Sequence, residues 1–271
     1  MIDRLSLNQA TTQNWTVEEA VDGCARAGIP WIGLWREKVA AQGLAESARL
    51  ARDADIKVSS LCRGGFFPAA TEALRRERIE DNERALDEAA ELGADVLVLV
   101  CGGLPEGSRD LDGARQMVED GLAALVPHAA ERGVGLGIEP LHPMFTADRS
   151  VISSLGLAND ICERSSSVKV GVVIDAYHVW WDPQVYKEIA RAAPYTLGFH
   201  VNDWLVPTPD LLLGRGMMGD GVIELRRLRA AVDGAGYRGP IEVEIFNNDI
   251  WNTSGERILE LAKERYIAEV T

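Results

Sequence analysis

The sequence predicts a single α/β domain over residues 1–271, folded as a (β/α)8 barrel, also called a TIM barrel. The first observation is composition: 46% of the 271 residues are hydrophobic and 26% are charged, which is ordinary for a globular protein. The second is that eight short apolar runs alternate with eight longer amphipathic stretches. The third is length, because eight strand–helix units of this fold typically occupy ~250 residues.

The apolar runs are predicted to be parallel strands, because they are near-continuous in Val, Leu and Ile, as in strands covered on both faces. The eight predicted strands are Leu5–Asn8, Trp31–Trp35, Lys57–Cys62, Val96–Cys101, Gly135–Glu139, Gly171–Asp175, Leu197–Val201 and Ile241–Phe246. The predicted helices lie near residues 16–28, 39–54, 71–93, 110–132, 150–164, 183–193, 224–236 and 254–269. A doubly wound open sheet is the alternative fold, but no GxGxxG motif follows the first strand.

Charge and apolar content exclude several classes of protein. The chain has 28 basic and 42 acidic residues, a net charge of −14, so its field repels nucleic acid and anionic membranes. No apolar run reaches the roughly 18–20 residues that span a bilayer, and no basic segment followed by an apolar one opens the chain. The four scattered cysteines indicate reduced thiols. We therefore expect a cytoplasmic protein without nucleic-acid or membrane partners.

Acidic residues and a histidine follow the last four predicted strands. Glu139, Asp175, His200 and Glu244 each stand at or near a strand end, and the active sites of such barrels lie at the carboxyl ends of the strands. Buried charge is costly unless it is paired or binds a metal. Three carboxylates and one imidazole suit Mn²⁺ or Mg²⁺, with Co²⁺ or Zn²⁺ as alternatives. Ordinary salt bridges at the barrel rim are the other interpretation, disfavoured because few Lys or Arg residues lie nearby in the sequence.

Several segments resemble the sugar phosphate isomerase/epimerase family of xylose-isomerase-like TIM barrels, which includes ketose 3-epimerases, hydroxypyruvate isomerases and inosose dehydratases. They are GIEPLHP, VIDAYHVWWDP, FHVND, GMMGDGVIEL and IEVEIF. The resemblance covers essentially the whole chain. It implies one divalent metal ion, manganese in the first instance, held by Glu139, Asp175, His200 and Glu244. It also implies that Glu139 and Glu244 act as acid and base on opposite faces of the substrate.

The function expected from this resemblance is isomerisation or epimerisation of a sugar, keto-sugar or cyclitol. A metal-stabilised enediolate would form when one glutamate removes a proton beside a carbonyl, and the other would return it. A lyase is the alternative: it would use the same site to expel water, as inosose dehydratase does, or the aglycone of a 3-oxo-glycoside. A DNA-repair barrel would need more histidines than the four present, and a non-catalytic carbohydrate-binding barrel would not need all four ligands.

Other residues are expected around the substrate. His178 and Arg215 are predicted to contact it, and Trp35 and Trp181 to stack on its sugar C–H faces. His142 is predicted either to contact the substrate or to support the residues that do. The apolar segment Trp204–Met218 is interpreted as a lid, a contact in a homo-oligomer or a cover over a hydrophobic part of the substrate. Because only five lysines are present, none of them in the strand-end segments after Gly135, an unphosphorylated substrate is favoured.

Overall fold

The computed structural model describes residues 2–271 and forms a closed barrel of eight parallel strands. The barrel strands are β1 (Leu5–Asn8), β2 (Trp31–Trp35), β3 (Lys57–Gly65), β4 (Val96–Val100), β5 (Gly135–Ile138), β6 (Val170–Asp175), β7 (Thr196–Val201) and β10 (Ile241–Val243). Their order around the barrel is β1-β10-β7-β6-β5-β4-β3-β2, so strands that are consecutive in the chain are neighbours in the barrel and β10 closes it against β1. The predicted fold class is confirmed.

The observed strand ends differ most from the prediction in β3 and β10, whereas β4, β5, β6 and β7 differ by one residue each. Strand β3 continues to Gly65, because Gly64 and Gly65 still pair with β4. Strand β10 ends at Val243 rather than at Phe246, since the N–H of Ile245 donates to Thr11 Oγ1 instead of to a neighbouring strand (3.0 Å). Glu244 therefore lies just beyond the last paired residue of its strand.

Helices cover the outside of the barrel. They are α1 (Val17–Ala27), α2 (Arg36–Gln42), α3 (Leu44–Asp53), α4 (Glu72–Leu92), α5 (Leu111–Arg132), α6 (Leu155–Ser165), α7 (Ala176–Val179), α8 (Val185–Arg191), α9 (Leu225–Gly234), α10 (Asn248–Trp251) and α11 (Gly255–Arg265). The predicted helix over residues 39–54 is two helices, because Gly43 between them has φ +95. Within residues 2–271, no helix is long and apolar enough to cross a membrane.

The segment Trp204–Met218 is part of the folded barrel rather than a free loop. Its ends form a short antiparallel pair, β8 (Asp203–Trp204) with β9 (Arg215–Gly216). Met217 and Met218 are 1% and 0% exposed and belong to the main core. The apolar content of this segment is thus partly explained by burial within the chain itself.

The barrel interior is apolar at one end and polar at the other. Cys62, Val96, Val98 and Val173 form a small apolar cluster inside the barrel. The polar side chains lie further along the strands, toward their carboxyl ends, where Glu242 and Glu244 point to the same side because they are two residues apart. Gly33 makes room there, since a Cβ at this position would lie 2.2 Å from Glu242 Oε2.

Candidate metal centre and substrate cavity

The structure brings the four predicted metal ligands together at the carboxyl ends of β5, β6, β7 and β10. Glu139, Asp175, His200 and Glu244 each offer a ligand atom, and these atoms all lie within 4.8 Å of one another. All four side chains are buried, with exposures of 5%, 0%, 1% and 3%. Their role as ligands stays a prediction, but their convergence is a feature of the structure.

Strand pairing accounts for this convergence. His200 lies in register with Asp175 on one side and with Glu242 on the other. The N–H of Glu139 donates to the carbonyl of Leu99 (3.1 Å), and the N–H of Glu244 donates to that of Val201 (3.2 Å). Both glutamates are thereby held at the rim by their own backbone.

Polar atoms that lack hydrogen-bond partners make this cluster suitable for a divalent cation. Within residues 2–271, buried Glu139 Oε1 and both ring nitrogens of His200 have no hydrogen-bond partner, and leaving such atoms unpaired is costly. His200 Nδ1 lies 3.4 Å from Glu139 Oε1 and 3.6 Å from Glu244 Oε2. Oxygen and imidazole donors around one point are the ligand set of Mn²⁺, Zn²⁺ and similar ions.

Burial and neighbouring charge shift the pKa values of this cluster. Burial raises the pKa of Glu139 to about 7, and the charge of Glu244 adds to the rise. Burial alone would lower the pKa of His200, but the surrounding carboxylates, Glu242 first, hold it well above its ordinary value. Burial opposes ionisation of Asp175 too, yet the charge of Arg215 brings the pKa of that carboxyl down to about 2.

Arg215 neutralises part of this acidic cluster. Its Nη1 donates to Asp175 Oδ2 and to Glu244 Oε2, both at 2.8 Å. The guanidinium lies between the rings of Tyr177 and Phe246, at 4.8 and 4.9 Å from their centroids. The argument that too few Lys or Arg residues lie nearby to neutralise the acids is therefore incomplete, because Arg215, a predicted substrate contact, pairs with two of them. This pairing arises because β9 carries the arginine from a distant loop back over the strand ends.

His178 stays neutral at the cavity wall. It is 3% exposed, and burial lowers its pKa to about 3. Both ring nitrogens face donors, because the N–H of His142 points at Nδ1 (3.1 Å) and Arg215 Nη2 lies 3.2 Å from Nε2. A neutral imidazole can accept only one of these two hydrogen bonds. Nε2 also lies 3.7 Å from Asp175 Oδ2, so His178 places a ring nitrogen beside both Arg215 and the candidate metal cluster.

The other predicted substrate contacts divide into two groups. Trp35, like His178 and Arg215, lines the cavity above the metal centre. His142 and Trp181 are not among the described lining residues. Trp181 Nε1 donates to the carbonyl of His178 (2.8 Å), and its ring packs edge-on against His142 at 5.6 Å. Both residues thus hold His178 in position through these contacts. A direct contact of either one with the substrate stays a prediction.

Three polar residues at the site were given no specific role in the sequence-based prediction. Arg149 lines the cavity together with Arg63, and nothing in the local pattern marks it, because it follows a turn that folds back over the barrel. Glu242 lies beneath the cluster, with Oε2 3.7 Å from His200 Nε2. Its signal in the sequence is the spacing of two glutamates in IEVEIF, which puts both inside the barrel.

Glu242 is expected to orient His200 for the metal. Asn8 Nδ2 donates to Glu242 Oε2 (3.0 Å), and Trp35 Nε1 donates to Asn8 Oδ1 (2.7 Å), so the carboxylate is itself held in place. A carboxylate facing the far nitrogen of a ligating histidine sets its tautomer, and losing it typically weakens metal affinity 10–100-fold. We expect Glu242→Gln to weaken Mn²⁺ binding by about this factor in calorimetric titration. The exposed Glu224→Gln should bind as the wild type does, and equal affinities for all three proteins would refute the assignment.

The family assignment follows from comparison with known proteins. A family model described as xylose isomerase-like TIM barrel matches residues 21–266. A 3-dehydroshikimate dehydratase of Pseudomonas putida is 29% identical over 188 residues, 65% of this chain but only 28% of that enzyme. The chain thus spans less than a third of the length of this curated relative. An inosose isomerase of Halalkalibacterium halodurans is 24% identical over 282 residues, 99% of this chain and 96% of the relative.

Solved structures share the architecture along the whole chain. A protein of Sinorhizobium meliloti 1021 is 51% identical with a TM-score of 0.98, covering 100% of this chain and 99% of that one. The IolI protein, solved with a bound zinc atom, is 20% identical with a TM-score of 0.86 over 98% of each chain. The resemblance drawn from the strand-end motifs is confirmed, and the chain belongs to the xylose isomerase-like TIM barrel family.

Proposed function

We propose that this protein is a divalent-metal-dependent isomerase or epimerase that acts on a sugar, keto-sugar or cyclitol. The observation that carries the proposal is that two buried glutamates face one point. Oxygens of Glu139 and Glu244 lie 3.4 and 3.6 Å from His200 Nδ1. Two carboxyl groups near the reacting carbon of a substrate could serve as the base that removes its proton and the acid that returns one. The full-length similarity to an inosose isomerase supports this reaction class.

Glu139, Asp175, His200 and Glu244 would hold the metal ion. A bound divalent cation supplies a Lewis acid that makes a C–H beside a substrate carbonyl acidic enough to lose its proton. Manganese remains our first expectation, and the zinc in the IolI structure supports a divalent ion of this kind.

The chain's own residues handle the proton and the substrate. In the metal-free protein, burial raises the pKa of Glu139 to about 7. A bound cation would favour the ionised carboxylate, which is the form that removes a proton as a general base. His178 lines the cavity and would hydrogen-bond a substrate oxygen through its imidazole ring. Tyr177 Oη donates to the carbonyl of Leu211 (2.9 Å), which ties the segment between β8 and β9 across the cavity and keeps water away from the reacting carbon.

A lyase is the second candidate, and the similarity to 3-dehydroshikimate dehydratase favours it. The first step is the same proton removal by a glutamate. The electron pair left on carbon then expels a hydroxyl group from the neighbouring carbon, and the second carboxyl protonates that group as it leaves, so that water is the product. The two reactions therefore differ in whether the substrate has a leaving group beside the carbanion.

Solvent deuterium exchange tests both candidates. The Mn²⁺-loaded protein is incubated in D₂O with D-fructose, an inosose and 3-dehydroshikimate, each followed by proton NMR. Isomerase or epimerase activity predicts deuterium beside the carbonyl and a rearranged product of unchanged mass apart from deuterium. Lyase activity predicts loss of water instead. Absence of exchange and of product from all three, with metal bound, would count against the proposed reaction class.

A further inference from the structure

Two arginines line the cavity without an acidic partner. Arg63 lies in β3 and Arg149 in the loop between β5 and α6, and both face the cavity that contains Glu139 and Glu244. Among residues 2–271, no carboxylate oxygen lies within 4.0 Å of either guanidinium. Each contacts aromatic rings instead. Arg63 lies 5.7 Å from the ring centroid of Trp35, and Arg149 lies 5.7 Å from that of Phe145.

This arrangement differs from that of the third arginine in the cavity. Acidic residues outnumber basic ones by 42 to 28, and the third cavity arginine, Arg215, makes ion pairs with Asp175 and Glu244. Arg149 is partly buried, and burial together with the positive charge of Arg63 lowers its pKa. Two like charges are therefore kept close together in a partly desolvated cavity, which costs free energy that an anion between them would offset.

The contacts suit binding of an anion from the substrate. A guanidinium offers several N–H donors in a rigid plane that matches carboxylate and phosphate oxygens. Stacking on aromatic rings restricts the side chain before a ligand arrives. Within residues 2–271, neither guanidinium donates to a protein oxygen, so both keep their side-chain donors free.

We propose that the substrate carries an anionic group, a carboxylate or a phosphate, held by Arg63 and Arg149 while its reacting carbon faces Glu139 and Glu244. The inference rests on the proposed function. It narrows the substrate class from any sugar, keto-sugar or cyclitol to those that carry an anionic group. The preference for an unphosphorylated substrate rested on the scarcity of lysines, whereas here arginines supply the positive charge.

The test compares probes that differ only in charge. Shikimate and its methyl ester form one pair, and D-fructose 6-phosphate and D-fructose form the other. Their dissociation constants are measured by calorimetry on the Mn²⁺-loaded protein and on the metal-free protein. We expect the charged member of one pair to bind at least about tenfold more tightly than the neutral member, as charge-assisted hydrogen bonds would give. The pair that shows the larger ratio identifies the anion as carboxylate or phosphate.

Variants locate the recognition. In Arg63→Met and Arg149→Met, the ratio of the dissociation constants of the neutral and charged probes should fall toward one. The variant Arg76→Met, which changes an exposed arginine, should keep the wild-type ratio. A wild-type ratio near one for both pairs would overturn the inference. A ratio unchanged in both cavity variants would do the same, because the charge would then be recognised elsewhere, for example at the metal.

The same samples separate this inference from the proposed function. Metal content and deuterium exchange with D-fructose are measured alongside binding. Suppose that the protein takes up metal and exchanges deuterium, but binds the charged and neutral probes of each pair equally tightly. The proposed reaction would then stand, and only the anion site would be removed. Failure to take up metal would remove the proposed reaction, while the ratios on metal-free protein would still report whether Arg63 and Arg149 bind an anion.

Discussion

Replacing either Glu139 or Glu244 by glutamine is expected to slow deuterium exchange by about 10²- to 10⁴-fold, the usual contribution of a positioned acid or base. Glutamine keeps the size of the side chain and its ability to form hydrogen bonds, but it cannot take up or release a proton near neutral pH. The measurement is the initial rate of deuterium incorporation into a turned-over substrate, at Mn²⁺ concentrations shown by titration to saturate each variant.

The control for this pair is Glu106→Gln, which changes an exposed glutamate on a loop and should leave the rate at the wild-type value. Metal affinity is determined for each variant, so that loss of the ion is not mistaken for loss of the proton carrier. Rates within twofold of the wild type for both site variants, with metal bound, would remove the two glutamates from the chemistry.

Arg215→Met is expected to destabilise the metal-free protein by about 3–5 kcal/mol. The guanidinium contacts Asp175 and Glu244 at 2.8 Å each, and removing one partner of a buried ion pair leaves the other charge uncompensated. A divalent cation should restore part of the loss, because an ion that binds only the folded state stabilises it. Urea unfolding with and without Mn²⁺ measures both effects, and the increase on adding metal should be larger in the variant.

A surface ion pair provides the comparison. Arg227 contacts Glu224 at 3.0 Å, with 62% and 67% of the two side chains exposed, so Arg227→Met should cost no more than about 1 kcal/mol. If Arg215→Met were as stable as Arg227→Met without metal, the arginine would not be compensating the buried acids.

The eight strands and the convergence of the candidate metal ligands can be predicted from sequence for one physical reason. Parallel strands covered on both faces are continuous apolar runs, and all of them end at the same rim of a barrel. A charged residue at the end of each of four such runs therefore converges on its neighbours, as Glu139, Asp175 and His200 do. Exact strand ends are less predictable. Thr11 Oγ1, far away in sequence, takes the N–H of Ile245 and so ends β10 early.

The arginines of the cavity depend on loop paths that local patterns do not encode. Arg215 reaches the candidate metal ligands because β9 pairs with β8 and because its backbone N–H donates to the carbonyl of Phe246 (3.3 Å). Arg149 is carried over the cavity by a turn in which its N–H donates to the carbonyl of Phe145 (2.9 Å). Each contact joins the loop to an element whose position is known only once the barrel has closed.

The most direct test of the account is the metal content of the purified protein and of an Asp175→Asn/His200→Ala variant. Both are incubated with Mn²⁺, freed of excess ion and analysed by elemental mass spectrometry. The account predicts about one equivalent per wild-type chain, as expected for a single four-ligand site, and loss of that equivalent in the variant. No metal in the wild type, or a full equivalent retained by the variant, would contradict it.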